Sequence, residues 1–318
     1  MDRLRTAVVG VGHQGKWHAE KFAALEGSKL VAVVDKDNER CRSVAEELDA
    51  HPLENYEDLI GEVDAVSIAS PTRFHFDIAR TLLNNDIHVL VEKPITTTLA
   101  EAEALVELAE GRGLVLQVGH LERFNPAILA LGEVVRKPQF IESNRIAPYK
   151  PRSTDVSVVL DLMIHDIDLV HSVVGSRVTS LDATGGPIIS RDIDIANARI
   201  KFDNGCVANV TASRASFKSE RSLRVFQENA YFNVDLHNKR STIYRKKGDG
   251  PVLSPDCIAV DEESYGASDA LMVQNEAFLN SVAGGPPPLV SGRIGMQALK
   301  TALDIGEMLK KAQVPAKP

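Results

Sequence analysis

Cysteine is scarce in this chain of 318 residues: Cys41, Cys206 and Cys257 lie far apart, and no CxxC pair occurs. That excludes a disulfide framework and speaks against a zinc site, so a reducing cytoplasm is the expected compartment and no metal is expected. Long hydrophobic runs are missing as well. No stretch approaches the roughly 20 apolar residues of a membrane span. The opening "MDRLRTAVVG" moves into a short apolar segment without the extended core of a secretory leader. Nor is there an excess of positive charge: 36 Lys and Arg against 44 Asp and Glu leave a net charge of -8. A global attraction to nucleic acid or to an anionic membrane is thereby removed, and an anionic substrate would have to meet a local basic patch. No internal repeat appears, and no low-complexity tail beyond "PAKP".

What is present is an ordinary globular composition, 44% hydrophobic and 25% charged, with enough length for about two domains. The first third alternates β-branched runs with helical patterns. Strands are expected over residues 5–10, 30–35, 64–70, 88–94 and 114–120, and helices over 13–25 and 38–48, with helix-length segments between the later strands. Continuous apolar strands separated by helices imply a parallel sheet covered on both faces, a doubly wound Rossmann-type domain over residues 1–120. Beyond that point the rhythm changes. One strong helix over 157–174 precedes alternating runs such as "NARIKFDNGCVANVTASR", in which "DNG" at 203–205 signals a hairpin. Residues 121–318 therefore read as a second, α+β domain with a large, mostly antiparallel sheet. "GGPPPLVSG" leads from it into a last amphipathic helix over 293–311.

Gly10, Gly12 and Gly15 form GxGxxG directly after a strand and at the mouth of a helix. Bare glycines let the backbone approach a pyrophosphate, and the helix N-terminus, with His13 and Gln14 in its first turn, offers unpaired N–H groups. Asp35 ends the second strand 20 positions beyond Gly15. A carboxylate there would accept hydrogen bonds from the adenosine ribose and repel a 2′-phosphate, so NAD is expected rather than NADP. The motif without the acid would be a mere tight turn. "SPTRFHF" follows the next strand, which puts Ser70, Pro71, Thr72 and His75 at the border of the cofactor, with an ordinary loop and a capping His75 as the plain alternative.

Glu92 and Lys93 abut the apolar strand "HVLV", and Pro94 forces an extended or turn conformation on Lys93. Two opposite charges ending a buried strand need a partner or a task. A strand-end ion pair would serve the first need, and a lysine that polarises a substrate hydroxyl or relays its proton the second. In "DVSVVLDLMIHDIDLVHSVVG", Asp161, His165, Asp168 and Ser172 fall along one helical stripe, whereas Leu160, Met163, Ile164, Ile167 and Val170 cover the remaining surface. Either the stripe faces solvent, or it lines a cleft in which a carboxylate one turn away orients a basic imidazole.

With GxGxxG at Gly10, "EKP" at 92–94, the Asp-x-x-x-His pair of "DLMIHDID" and "PPLVSGRIGMQAL" before the last helix, the chain resembles the glucose-fructose oxidoreductase, inositol dehydrogenase and MocA family over nearly its whole length. The resemblance implies an N-terminal domain holding NAD, a C-terminal sheet serving substrate and homo-oligomer contacts, and Lys93, Asp161 and His165 converging on the nicotinamide, with His165 or Lys93 taking the proton. Many members carry a glycine-rich lead into the Asp-x-x-x-His helix, where this chain has "DVSVVLD", so inositol is not carried over as substrate. "GHLERFNPAI" and "RIAPYKPRSTDV" resemble the branch that oxidises the 3-hydroxyl of UDP-N-acetylglucosamine and supplies a keto sugar to an aminotransferase for lipid A or other surface glycans. Arg145, Lys150 and Arg152 could then pair with the diphosphate, unless they form a solvated basic loop. Arg123 and Asn125 are candidates either for substrate contact or for fixing the domain junction. Three other functions stay open at this level: an inositol or free-sugar dehydrogenase, a redox-neutral glycosidase using NAD transiently, and a non-catalytic NAD-binding redox sensor.

Overall fold

The computed structural model describes residues 3–149, 157–248, 250, 252–266 and 268–313. Two compact units make up the chain: Met1–Phe124 with Asp269–Gln297, and Asn125–Ser268 with Ala298–Pro318. In the first unit, strands β1 (Leu4–Val9), β2 (Ser28–Val34), β3 (His51–Leu53), β4 (Ala65–Ile68), β5 (His88–Glu92) and β6 (Leu116–Gly119) form one sheet in the order β3-β2-β1-β4-β5-β6. Every pairing in it is parallel. Its strands read as unbroken apolar runs because both faces are covered; all of β4 is buried. The strand order reverses between β1 and β4, and the carboxyl ends beside such a switch point are where an open α/β sheet binds its ligand.

Helices α1 (His13–Ala24), α2 (Asn38–Leu48), α3 (His75–Asn84) and α4 (Leu99–Arg112) connect these strands. Their ends follow from local chemistry. Asp37 caps α2 by accepting from the Arg40 N–H, and Thr98 and Glu101 close a capping box at the start of α4. The expected elements are all present with ends shifted by a few residues. The three-residue β3 is an addition, since "HPL" is too short to show a period.

The domain boundaries differ from the division at residue 120. The first unit extends to Phe124 and takes back Asp269–Gln297. The returning helix, α7 (Ala270–Val282), brings Phe278 and Leu279 into the same apolar core as Phe22 and Val33. The Val118 N–H donates to Val290 O at 2.9 Å, fastening the following loop to β6. Tertiary packing of this kind, between residues about 170 to 260 apart in the chain, leaves no periodic trace in the sequence.

The second unit holds helix α5 (Pro126–Val134), strand β7 (Pro138–Pro148), helix α6 (Ile164–Val174) and strands β8 (Val178–Gly186), β9 (Ile195–Phe202), β10 (Val207–Ser216), β11 (Glu220–Gln227), β12 (Ala230–Asp235), β13 (Arg240–Lys246) and β14 (Ile258–Ser264). The sheet order is β14-β13-β12-β11-β7-β10-β9-β8, antiparallel except for β7 with β10. One face, with Ile141, Val225 and Phe232, packs on Ile164, Ile167 and the later turns of α8 (Gly292–Gln313). The opposite face presents Phe140, Phe226, Tyr231 and Tyr244, direct partners across four strands. The β9–β10 hairpin turns at Gly205, whose φ of +85° suits glycine.

The helix expected over 157–174 is not uniform. Val159–Met163 forms a π-helical turn before α6 begins. Such turns carry no sequence period of their own and concentrate at functional sites.

Candidate active site

The glycine-rich turn is built to bring backbones together. A Cβ on Gly15 would lie 1.7 Å from the Gly10 carbonyl oxygen, and one on Gly10 would lie 2.7 Å from the Ser70 nitrogen. Gly12 instead faces open space and, as the N-cap of α1, gives that helix no side-chain acceptor. The first-turn N–H groups of His13, Gln14 and Gly15 are thus available to an anion, with room above them. Trp17, the only tryptophan, lies one turn on, its ring 4.2 Å from that of His13.

Asp35 follows β2, and its carboxylate accepts from the Val11 N–H at 2.9 Å, tying the ribose end of the site to the glycine turn. It also accepts from the Asp37 N–H at 2.9 Å and from Arg40 Nη2 at 2.8 Å. Burial alone would raise its pKa, but Arg40 and the backbone N–H groups bring it below the usual carboxylate range. The turn, the bare helix start and the acid together fit a dinucleotide.

The loops after β4 and β5 complete this edge. Ser70, Pro71 and Thr72 follow β4, and Thr72 opens a short 3-10 turn. His75 is buried, with Nε2 2.8 Å from Ser70 O and Nδ1 3.0 Å from Pro94 O, so it bridges the two loops instead of facing a ligand. Burial pushes its pKa down, against the pull of the two carbonyls and the Glu92 charge. Glu92 pairs with His18, whose Nε2 is 3.0 Å from its Oε1. Burial would raise the Glu92 carboxyl, but the His18 hydrogen bond and the charges of His18, Lys93 and His75 hold it below its ordinary value. His18 escaped the sequence reading because its partner lies 74 residues away. The GxGxxG segment shows it only as one more helical residue.

In the second unit, Asp161 lies within the π-helical turn and His165 in the first turn of α6, both half-buried. Met163, Ile164, Ile167 and Val170 are fully buried, as the apolar pattern requires. Asp168 is buried as well, whereas Ser172 is exposed and donates to Leu169 O at 2.8 Å, so the polar stripe does not extend to it. Lys93 belongs to the first unit, and Asp161 and His165 to the second.

The basic residues differ most from expectation. Arg145 is not on a loop. It lies in β7 on the helix-covered face, where its Nε donates to Asp166 Oδ2 at 2.6 Å, while Ser143 donates to Asp166 Oδ1 at 2.7 Å. The side chains of this pair are 4% and 0% exposed, which gives Arg145 a core partner in place of a diphosphate. Lys150 and Arg152 lie outside the described residues. Asn125 is the N-cap of α5: its Oδ1 accepts from the Ala127 N–H at 3.1 Å, and its Nδ2 donates to Leu236 O at 3.1 Å. Arg123 lies in a 3-10 turn, with Nη2 3.5 Å from Leu289 O. Asp166→Ala strands a buried guanidinium and is expected to destabilise the protein by about 3–5 kcal/mol. Denaturant melts monitored by far-UV dichroism measure this, and an unchanged midpoint would remove the core role of the pair.

Among the described residues, no helix is long and apolar enough to cross a membrane, and no cluster of His, Cys, Asp and Glu could hold a metal ion.

Against known proteins, residues 4–120 match the oxidoreductase family with an NAD-binding Rossmann fold, and residues 137–233 match the GFO/IDH/MocA C-terminal domain. The chain is 39% identical to UDP-N-acetylglucosamine 3-dehydrogenase of Acidithiobacillus ferrooxidans, over 96% of this chain and 97% of that one. A solved structure of that enzyme superposes with a TM-score of 0.91 at 37% identity, covering 98% of this chain and 99% of the other. The scyllo-inositol 2-dehydrogenase (NAD(+)) of Bacillus subtilis is 29% identical, over 91% of this chain and 89% of its own.

Proposed function

The chain belongs to the GFO/IDH/MocA family of oxidoreductases, and on that premise we propose that it oxidises the 3-hydroxyl of UDP-N-acetylglucosamine with NAD. The observation that carries the substrate is the near full-length likeness to a UDP-N-acetylglucosamine 3-dehydrogenase, at 39% identity and through both domains. Gly10, Gly12, His13, Gln14, Gly15 and Asp35 would hold the dinucleotide, with Ser70, Pro71, Thr72 and Glu92 at its border. NAD, when bound, supplies the hydride acceptor.

The chain's own task is positioning and proton transfer. In our reading Lys93, Asp161 and His165 meet at the reacting carbon. Lys93, with the Glu92 anion beside it, holds the substrate oxygen. His165, oriented by Asp161 from one turn away, takes the hydroxyl proton as the hydride leaves the same carbon. Arg152 and Lys150 are the diphosphate candidates we retain, since Arg145 is engaged with Asp166, and Arg123 is kept as a candidate for substrate contact. The product, a 3-keto sugar, is the kind of carbonyl that an aminotransferase consumes on the way to an amino-sugar glycan. Free thiols at Cys41 and Cys206, both buried, are consistent with a cytoplasmic setting.

Homo-oligomerisation is part of the same proposal. The row from Phe140 through Phe226 and Tyr231 to Tyr244, tilted at its first step and stacked at the next two, has 5.8, 4.6 and 5.2 Å between ring centroids on the face opposite the helices. Aromatic rows of this kind are suited to burial against a second copy. Sedimentation that returned only monomer would remove this part.

Turnover is tested by following reduced nicotinamide at 340 nm on mixing protein, NAD and UDP-N-acetylglucosamine, with and without 2-oxoglutarate, and with myo-inositol as the rival substrate. The expected result is reduction with the nucleotide sugar, or a keto sugar detected by mass spectrometry when the 2-oxo acid recycles the cofactor. Reduction with myo-inositol alone would overturn the nucleotide-sugar assignment.

A further inference from the structure

The carboxylate of Glu92 is fixed from two sides. On one side His18, in α1 and fully buried, has Nε2 3.0 Å from Glu92 Oε1 and Nδ1 3.0 Å from Ser67 Oγ in β4. An ionised carboxylate only accepts, so Nε2 carries the hydrogen of that bond. On the other side is Gly119, opposite Glu92 in the β5–β6 pairing. A Cβ there would lie 2.5 Å from the same Oε1 and 2.9 Å from Cδ. Helix α1 and strands β4 and β6 thus hold a single oxygen, one residue before Lys93.

We propose that His18 and the bare Cα of Gly119 are positioning elements for Lys93, acting through the Glu92 carboxylate. The proposal rests on the reading that Lys93 works at the reacting carbon. Ser67, His18 and Glu92 have the group types of a hydrolytic triad, but Ser67 is completely buried and out of reach of a substrate. A buried His–Glu pair is weak as pure stabilisation, because apolar side chains fill such a volume at lower desolvation cost. What the arrangement supplies is an anion at a set place beside a lysine ammonium, and misplacing a reacting group by about 1 Å costs roughly 10²-fold in rate.

The test compares His18→Gln, His18→Asn and Gly119→Ala with Lys93→Met. Glutamine keeps an N–H at the reach of Nε2 and so keeps the bond to Glu92; asparagine reaches only the Nδ1 position. Gly119→Ala displaces the same carboxylate from the paired strand and leaves the His18 and Ser67 side chains unaltered. We expect kcat to fall roughly 10- to 100-fold in His18→Asn and Gly119→Ala. Recovery of most of it is expected in His18→Gln, with KM for NAD, Trp17 fluorescence titration by NAD and melting temperature near parental values. If the two His18 variants lose activity alike and in step with melting temperature, or if Gly119→Ala keeps parental kcat, the positioning role is overturned. Should Lys93→Met itself keep parental kcat, the reading of Lys93 fails first, and its result separates that failure from the other.

Discussion

Lys93→Met is expected to lower kcat by roughly 10²–10³-fold, the range lost when one donor to a developing oxyanion is removed, while NAD still binds. Methionine matches the lysine stem and leaves out the ammonium, so Trp17 fluorescence should titrate with NAD as in the parent. The loss should fall on kcat and on kcat/KM for the sugar together, because the missing contact is strongest as charge develops on the oxygen. His165→Asn should show a loss of similar size. The double variant is the sharper measurement. Groups that act on the same oxygen in one transition state act as a unit, so Lys93→Met with His165→Asn should be hardly slower than the worse single variant. Multiplying losses would mean that the two residues act on separate events, and a Lys93→Met enzyme at parental rate would remove Lys93 from the chemistry.

The difference between what the sequence showed and what it hid follows chain distance. GxGxxG, the strand before it, the helix after it and Asp35 all lie within one βαβ unit, where local spacing alone sets geometry, and the structure keeps all of them at one sheet edge. The buried sequence positions of α6 were legible for the same reason: helical period reports which side chains face the core. Arg145 was misjudged because charge was read without strand parity. Ile141, Ser143 and Arg145 are buried and alternate with half-buried neighbours along β7, which directs the guanidinium inward onto Asp166. His18 and its Glu92 partner were hidden for a further reason. A histidine in the middle of a helix has no distinguishing pattern until the sheet brings β5 beside it. The return of Asp269–Gln297 to the first unit is of the same kind, a contact between residues far apart in the chain.

Asp35→Ser is expected to turn the cofactor preference from NAD toward NADP. Its carboxylate is 10% exposed, is held by two backbone N–H groups and Arg40, and stays ionised from well below neutral pH upward because those donors lower its pKa. An anion at this place accepts from the ribose hydroxyls and repels a 2′-phosphate. Removing it forfeits a charge-assisted hydrogen bond of about 1.5–3 kcal/mol, so kcat/KM for NAD should fall roughly 10- to 100-fold. The same change releases Arg40. In the parent this guanidinium contacts both Asp35 and Asp37, at 2.8 and 3.0 Å; in the variant only the half-exposed Asp37 competes for it. A planar guanidinium next to the ribose is suited to a phosphate, and NADP use should rise by a comparable factor, moving the NADP/NAD ratio by roughly 10²–10⁴. Adding Arg40→Ala should erase the gain for NADP and leave the loss for NAD. If the gain survives without Arg40, the phosphate is met by another group. If Asp35→Ser leaves the ratio unchanged while its melting temperature falls, Asp35 serves to brace the Val11 turn and not to read the ribose.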